Sequence, residues 1–178
     1  ATPEEPLKAY SEQFRLAIAV TGIAAPLSWN RKPEQASFFT LRAIAEKLLR
    51  RFGFDLYTLK SESLRSDLYG DALSFSLNDK ARELVQMGVV SSKLRKAFDL
   101  KQDVYYLEMD FGALIKATRK NKVTAKELSK FPEVKRDLAL LIDKEVTFSA
   151  LRDIAFAAER KLLKRVSLFD VYEGDKLP

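Results

Sequence analysis

Apolar residues recur along the chain with two distinct periods, and the changes from one to the other divide it into elements. Phe14, Leu16, Ile18 and Val20 alternate with Arg15, Ala17 and Ala19, which is the period of two of a half-buried strand. Gly22 and Pro26 interrupt that strand, and from Pro33 the spacing becomes helical. Leu41, Ile44, Ala45, Leu48 and Phe52 then fall on one side of a helix, with Arg42, Glu46, Lys47 and Arg50 on the other. Gly53 is placed to close the helix in a left-handed conformation, and Phe54–Leu59 reads as a short strand. Further strands are expected at Ala72–Leu77 and Arg82–Val89, a short helix after Ser91, and a strand at Val104–Phe111 with Tyr105, Leu107, Met109 and Phe111 on one face.

Lys116–Lys130 is polar, basic and poor in large apolar side chains, so it reads as a connection between two folding units, with a boundary near Thr124. Beyond it, Leu138–Ile142 is a continuous apolar run of the kind covered on both faces. Thr147 can cap a second helix, whose buried stripe would be Phe148, Leu151, Ile154, Ala155, Ala158 and Leu162. Val166–Glu173 returns to strand alternation, so this unit reads β-α-β and the chain as a whole α+β.

Composition narrows the chemistry. The 178 residues are 47% hydrophobic and 31% charged, a mixture that can bury a core. There is no run of about 20 apolar residues for a bilayer and no tripartite secretion signal at Ala1–Pro6, so a cytoplasmic protein without membrane contact is expected. Cys and His are both absent, which removes disulfides, thiolate nucleophiles, the usual zinc ligands and the usual neutral-pH general base. The six glycines (Gly22, Gly53, Gly70, Gly88, Gly112 and Gly174) are scattered, so no phosphate-cradling loop is formed and no ATP site is expected. A net charge of +6 favours approach to polyanions.

Glu108 and Asp110 lie two apart on a strand and share a face, as a magnesium or acid–base pair would; a solvated face is the simpler account, because nothing supplies a third ligand. The basic run Arg160, Lys161, Lys164 and Arg165 can either offset a helix C-terminus or contact phosphates. Phe169 and Tyr172 near it are stacking candidates or core residues, and Trp29 is an interface anchor or a cap on the local core.

Two segments carry a family resemblance. Phe131-Pro132-Glu133-Val134-Lys135-Arg136-Asp137-Leu138-Ala139 resembles the FPxxxRDLA opening of the ferredoxin-like anticodon-binding domain of bacterial-type phenylalanyl-tRNA synthetase beta subunits, and Leu168-Phe169-Asp170-Val171-Tyr172-Glu173-Gly174 resembles its LFDVYxG strand. Upstream, Ser37–Ala43 is a looser match to an FYDLKG helix. Met87–Val90, Phe98-Asp99-Leu100 and Val104–Phe111 follow the family's GxxHP, FDL and strand order. The chain departs from the pattern at Ser91-Ser92, where His-Pro is usual, and at Leu68-Tyr69-Gly70-Asp71, in place of an LHPG-like site.

The resemblance implies a class II synthetase catalytic-like fold in part over residues 1–124, and the first half of a ferredoxin-like anticodon-binding domain over 125–178. It implies a noncatalytic role beside an alpha subunit in an α2β2 enzyme that charges tRNA(Phe) with phenylalanine. ATP and magnesium would be bound elsewhere in that enzyme, with no catalytic, cofactor or metal residue in this stretch. Arg136, Lys161, Lys164 and Arg165 become expected phosphate contacts, and Tyr172 a stacking or loop-shaping residue. The expectation extends to an excised fragment whose two C-terminal strands flank an empty slot, so that the unit repacks, self-associates through its open sheet or stays poorly ordered. Two rivals remain at this level: a free-standing basic nucleic-acid or protein-interaction module, and an enzyme built on Glu108 and Asp110.

Overall fold

The computed structural model describes residues 10–77, 83–119 and 130–174. The chain divides into two compact units, Ala1–Ala125 and Lys126–Pro178, each described here by itself.

The first unit is built on a five-stranded antiparallel sheet. Its strands are β1 (Arg15–Thr21), β4 (Lys60–Leu64), β5 (Tyr69–Ser76), β6 (Glu83–Val90) and β7 (Val104–Asp110), in the spatial order β1-β7-β6-β5-β4. Strands β4 to β7 form a meander, and β1 joins it beside β7 with Ile18 opposite Leu107. The alternation legible in the sequence decides which face is inside. Leu16, Ile18, Val85, Met87, Phe75, Leu107 and Met109 belong to the one core cluster, together with Leu41, Ala45 and Leu49 of helix α1 (Phe38–Arg51). Leu49, not Ile44, completes the fully buried stripe of that helix.

Local chemistry fixes the ends of α1. Ser37 accepts from the Thr40 amide through its hydroxyl, and the Thr40 hydroxyl accepts in return from the Ser37 amide, a reciprocal cap with Thr in the place usually held by Glu or Gln. At the other end Gly53 has φ +80°, the Gly53 amide donates to Arg50 and the Phe54 amide to Leu49, as a Schellman ending requires. Replacing Ser37 with Ala should cost about 1 kcal/mol, read as a lower denaturation midpoint; Ser37→Asp, which keeps an acceptor, should recover most of the loss.

Several expectations shift on the structure. Phe54–Leu59 is not a strand: Asp55 caps a 3-10 turn at Leu56–Thr58, whose i, i+3 spacing buries Leu56 and Leu59 together, and the strand begins only at Lys60. Val104–Phe111 ends one residue early, because Asp110 accepts from the Ala113 amide and turns the chain into helix α3 (Phe111–Thr118). The inferred connection therefore begins as helix; residues 120–129, with the boundary at Thr124, lie outside the described residues. A short helix α2 (Ser92–Ala97) follows Ser91 as expected. A two-stranded hairpin, β2 (Ile23–Ala25) with β3 (Glu34–Gln35), occupies the stretch read only as an interruption.

The second unit holds one helix among its described residues, α4 (Phe148–Ala158), with Thr147 as its cap through the Ala150 amide. Leu138–Ile142 and Val166–Glu173 are not strands here. A strand exists only through its ladder bonds, and no described segment of this unit runs alongside either run to supply them. The expected buried stripe of α4 is likewise uncovered: no residue of the helix is fully buried, and Ile154 and Leu162 are exposed. No helix among the described residues is long and apolar enough to cross a membrane.

Candidate nucleic-acid interface

The basic residues singled out in the sequence lie past the end of α4, not within it. The helix stops at Ala158, and Glu159 bends the chain by accepting from the amides of Lys161 (2.7 Å) and Leu162 (2.9 Å). Those two bonds hold the Glu159 carboxyl below the usual carboxylate range. Lys164 then folds back, its Nζ donating to the Lys161 carbonyl at 3.4 Å. Arg160, Lys161, Lys164 and Arg165 are all exposed, so four cations crowd a turn of six residues. With the helix already ended, the dipole-offsetting account loses its geometry, and an exposed cationic turn is what remains.

Arg136 is exposed in the segment before the helix, and no contact among the described residues joins it to that turn. Tyr172 and Phe169 are exposed as well, against the core reading of both. The Tyr172 ring folds back over Gly174, where any side chain would collide with the phenol. Sequence reasoning missed Glu159; the signal was a carboxylate immediately preceding the basic run, positioned to accept from the amides that follow the helix.

The first unit places Glu108 and Asp110 on one sheet face, yet each has a structural task. Arg15 pairs with Glu108 at 2.6 Å, which raises the guanidinium pKa further, and Asp110 caps α3. They border a shallow pocket of about 210 Å³ with Glu83, Leu84, Val85 and Gln86, where Gln86 donates to Glu83. No group of three acidic, His or Cys side chains among the described residues could hold a metal ion. On the same sheet Tyr69 and Tyr106 lie 6.3 Å apart as tilted rings, and burial raises both phenol pKa values, so both stay neutral at ordinary pH. The two sites that depart from the family pattern meet here. The Ser91 amide donates to the Leu68 carbonyl, the Ser91 hydroxyl donates to the Asp67 carbonyl, and Tyr69 faces Val90 across β5 and β6.

Against known families, residues 2–111 match the model of the phenylalanyl tRNA synthetase beta chain CLM domain, and residues 129–178 match that of the ferredoxin-fold anticodon binding domain. The chain belongs to the phenylalanyl-tRNA synthetase beta-chain family. Phenylalanine–tRNA ligase beta subunits are its curated relatives. One from Bacteroides fragilis is 46% identical over 98% of this chain, one from Porphyromonas gingivalis 43% over 99%, and one from Syntrophotalea carbinolica 32% over 94%. The chain spans about a fifth of the length of these relatives, 21%, 22% and 20% respectively. The α+β class and the antiparallel sheet expected from the sequence agree with this family, and the order of the two matched models is the order of the motifs along the chain.

Proposed function

We propose that the chain is a noncatalytic part of a phenylalanine–tRNA ligase beta subunit that supports the α/β assembly and helps position the anticodon region of tRNA(Phe) during ATP-dependent charging. In this reading residues 1–124 belong to the catalytic-like domain and 125–178 to the anticodon-binding domain. The observation that carries it is the tandem of family matches, a beta-chain domain followed by an anticodon-binding one, with an exposed cationic turn in the second. The intact enzyme is a cytoplasmic α2β2 heterotetramer that binds ATP and magnesium outside this stretch. Isolated, the second unit self-associates through its uncovered apolar runs.

Arg136, Lys161, Lys164 and Arg165 contact phosphates, and Tyr172 stacks on a base or shapes the loop beside it. Replacing the four cations with Gln in the intact enzyme should weaken tRNA(Phe) binding at least tenfold at low salt. The dependence of log K on log salt should become shallower by about 0.7 to 0.9 for each phosphate that is no longer neutralised. Amino-acid-dependent ATP–pyrophosphate exchange should keep its wild-type rate. An unchanged affinity and slope would remove these residues from the interface.

A further inference from the structure

Trp29 is the side chain whose placement neither the fold nor the tRNA reading accounts for. It sits in a tight turn between β2 and β3, where Ser28 and Arg31 exchange both backbone hydrogen bonds, at 3.0 and 3.3 Å. The Ser28 hydroxyl donates to Asn30 Oδ1 at 2.9 Å, Arg31 is tied to Glu34 at 3.2 Å, and Pro26 and Pro33 bracket the segment. This well-fastened turn holds its indole 96% exposed, with Leu27 nearby in sequence 73% exposed. The core-capping account of Trp29 is therefore excluded within this unit.

An exposed indole on a pre-ordered turn has the makings of a binding hot spot: it buries a large area on contact, and little entropy is lost in fixing it. The chemistry of the turn indicates the class of partner. A nucleic acid would need free cations around the ring, but Arg31 is already paired with Glu34, which leaves Lys32 alone without an ion pair among the described residues of the turn. The leucine adds apolar area that a phosphate backbone cannot use. A protein surface with an apolar pocket and an acidic rim fits both features. The relatives are named as beta subunits, so a companion chain belongs to their assembly, and a turn that needs no ordering suits a contact between two separately folded chains.

We propose that the Trp29 turn is an anchor for the companion alpha subunit, with the indole entering an apolar pocket and Lys32 meeting its acidic rim. This rests on the beta-subunit reading above. The test uses the intact beta subunit, alone, with its alpha subunit, and with alpha subunit and tRNA(Phe), under hydroxyl-radical footprinting read by mass spectrometry at Trp29. Oxidation of Trp29 should be fast in the subunit alone and fall at least fivefold in the α/β complex before tRNA is added. Trp29→Ala should raise the α/β dissociation constant by about thirtyfold, the scale of a central aromatic anchor, while Trp29→Phe recovers part of it. Protection already complete in the beta subunit alone would show that its own polypeptide covers the turn, and protection appearing only with tRNA would assign it to RNA; either overturns the proposal, as does no protection at all. Failure of the wild-type beta subunit to assemble with an alpha subunit would instead sink the beta-subunit reading itself.

Discussion

Replacing Leu107 with Ala should destabilise the first unit by about 3 kcal/mol, within the range of about 2–5 found for large-to-small changes at well-packed sites. Leu107 is fully buried in β7, the second strand of the sheet, with Ile18 opposite it on one side and Met87 on the other, and all three belong to the cluster closed by α1. Truncation there removes three carbons at a point where neither neighbour can follow them inward, because both are fixed by their own ladders. The lost transfer energy and the residual cavity therefore add. With a urea slope of about 2 kcal/mol per molar, the denaturation midpoint followed by far-ultraviolet circular dichroism should fall by roughly 1.5 M. Leu27→Ala, at an exposed position, should leave it within error. Equal shifts for the two variants would mean that the core does not lie between the sheet and α1.

The cluster around Leu107 was legible because burial in a sheet follows the period of two, and Tyr105, Leu107 and Met109 share one face in sequence as in space. The caps of α1 and α4 were legible for a related reason: Gly53 and Thr147 act on backbone groups within four residues of themselves. What escaped was decided by longer-range or finer competition. Phe54–Leu59 has the apolar content of a strand, but the Asp55 carboxylate reaches the Tyr57 amide first, and the resulting turn buries Leu56 and Leu59 on one side. Asp110, considered for its charge, acts as a helix cap, a role that shows only once the helix after it is known. Trp29 could not be assigned from its neighbours, since an indole before Asn30 and Arg31 packs inward or stands free depending on a hairpin that has almost no periodic signature.

The cationic turn shows the same division between composition and geometry. The sequence supplied its four charges and the nearby aromatic, and left open whether a helix terminus or a phosphate would use them. The Glu159 carboxylate decides between these by ending the helix ahead of the charges and gathering the following amides to itself. The apolar runs on either side were read correctly as apolar and incorrectly as hydrogen-bonded strands, because alternation specifies which side of a strand faces inward and not which segment pairs with it.

Gly88 is the position where the largest effect from the smallest change is expected. It lies in the middle strand of the sheet, opposite Ala72 on β5 and Tyr106 on β7, next to an irregularity in the β5–β6 register between Tyr69 and Ala72. That irregularity brings the Asp71 carbonyl oxygen against the Gly88 Cα. A Cβ added at Gly88 would collide with that oxygen and lie 2.6 Å from the Ala72 Cβ and 2.8 Å from its Cα. Main-chain atoms of a paired strand cannot swing aside as a side-chain tip can, so relief requires β5 and β6 to part. Gly88→Ala should therefore cost about 1–3 kcal/mol, and Gly88→Val more, by overpacking and not by torsional strain. Gly70 provides the control. A Cβ there would meet the Val89 side chain at 3.6 Å, an ordinary contact, so Gly70→Ala should be neutral or stabilise slightly by narrowing the unfolded ensemble. Amide hydrogen exchange should show the Gly88 variants losing protection first along β5 and β6, ahead of β1 and β7. Equal midpoints for Gly70→Ala and Gly88→Ala would show that the two strands approach no more closely at Gly88 than at Gly70.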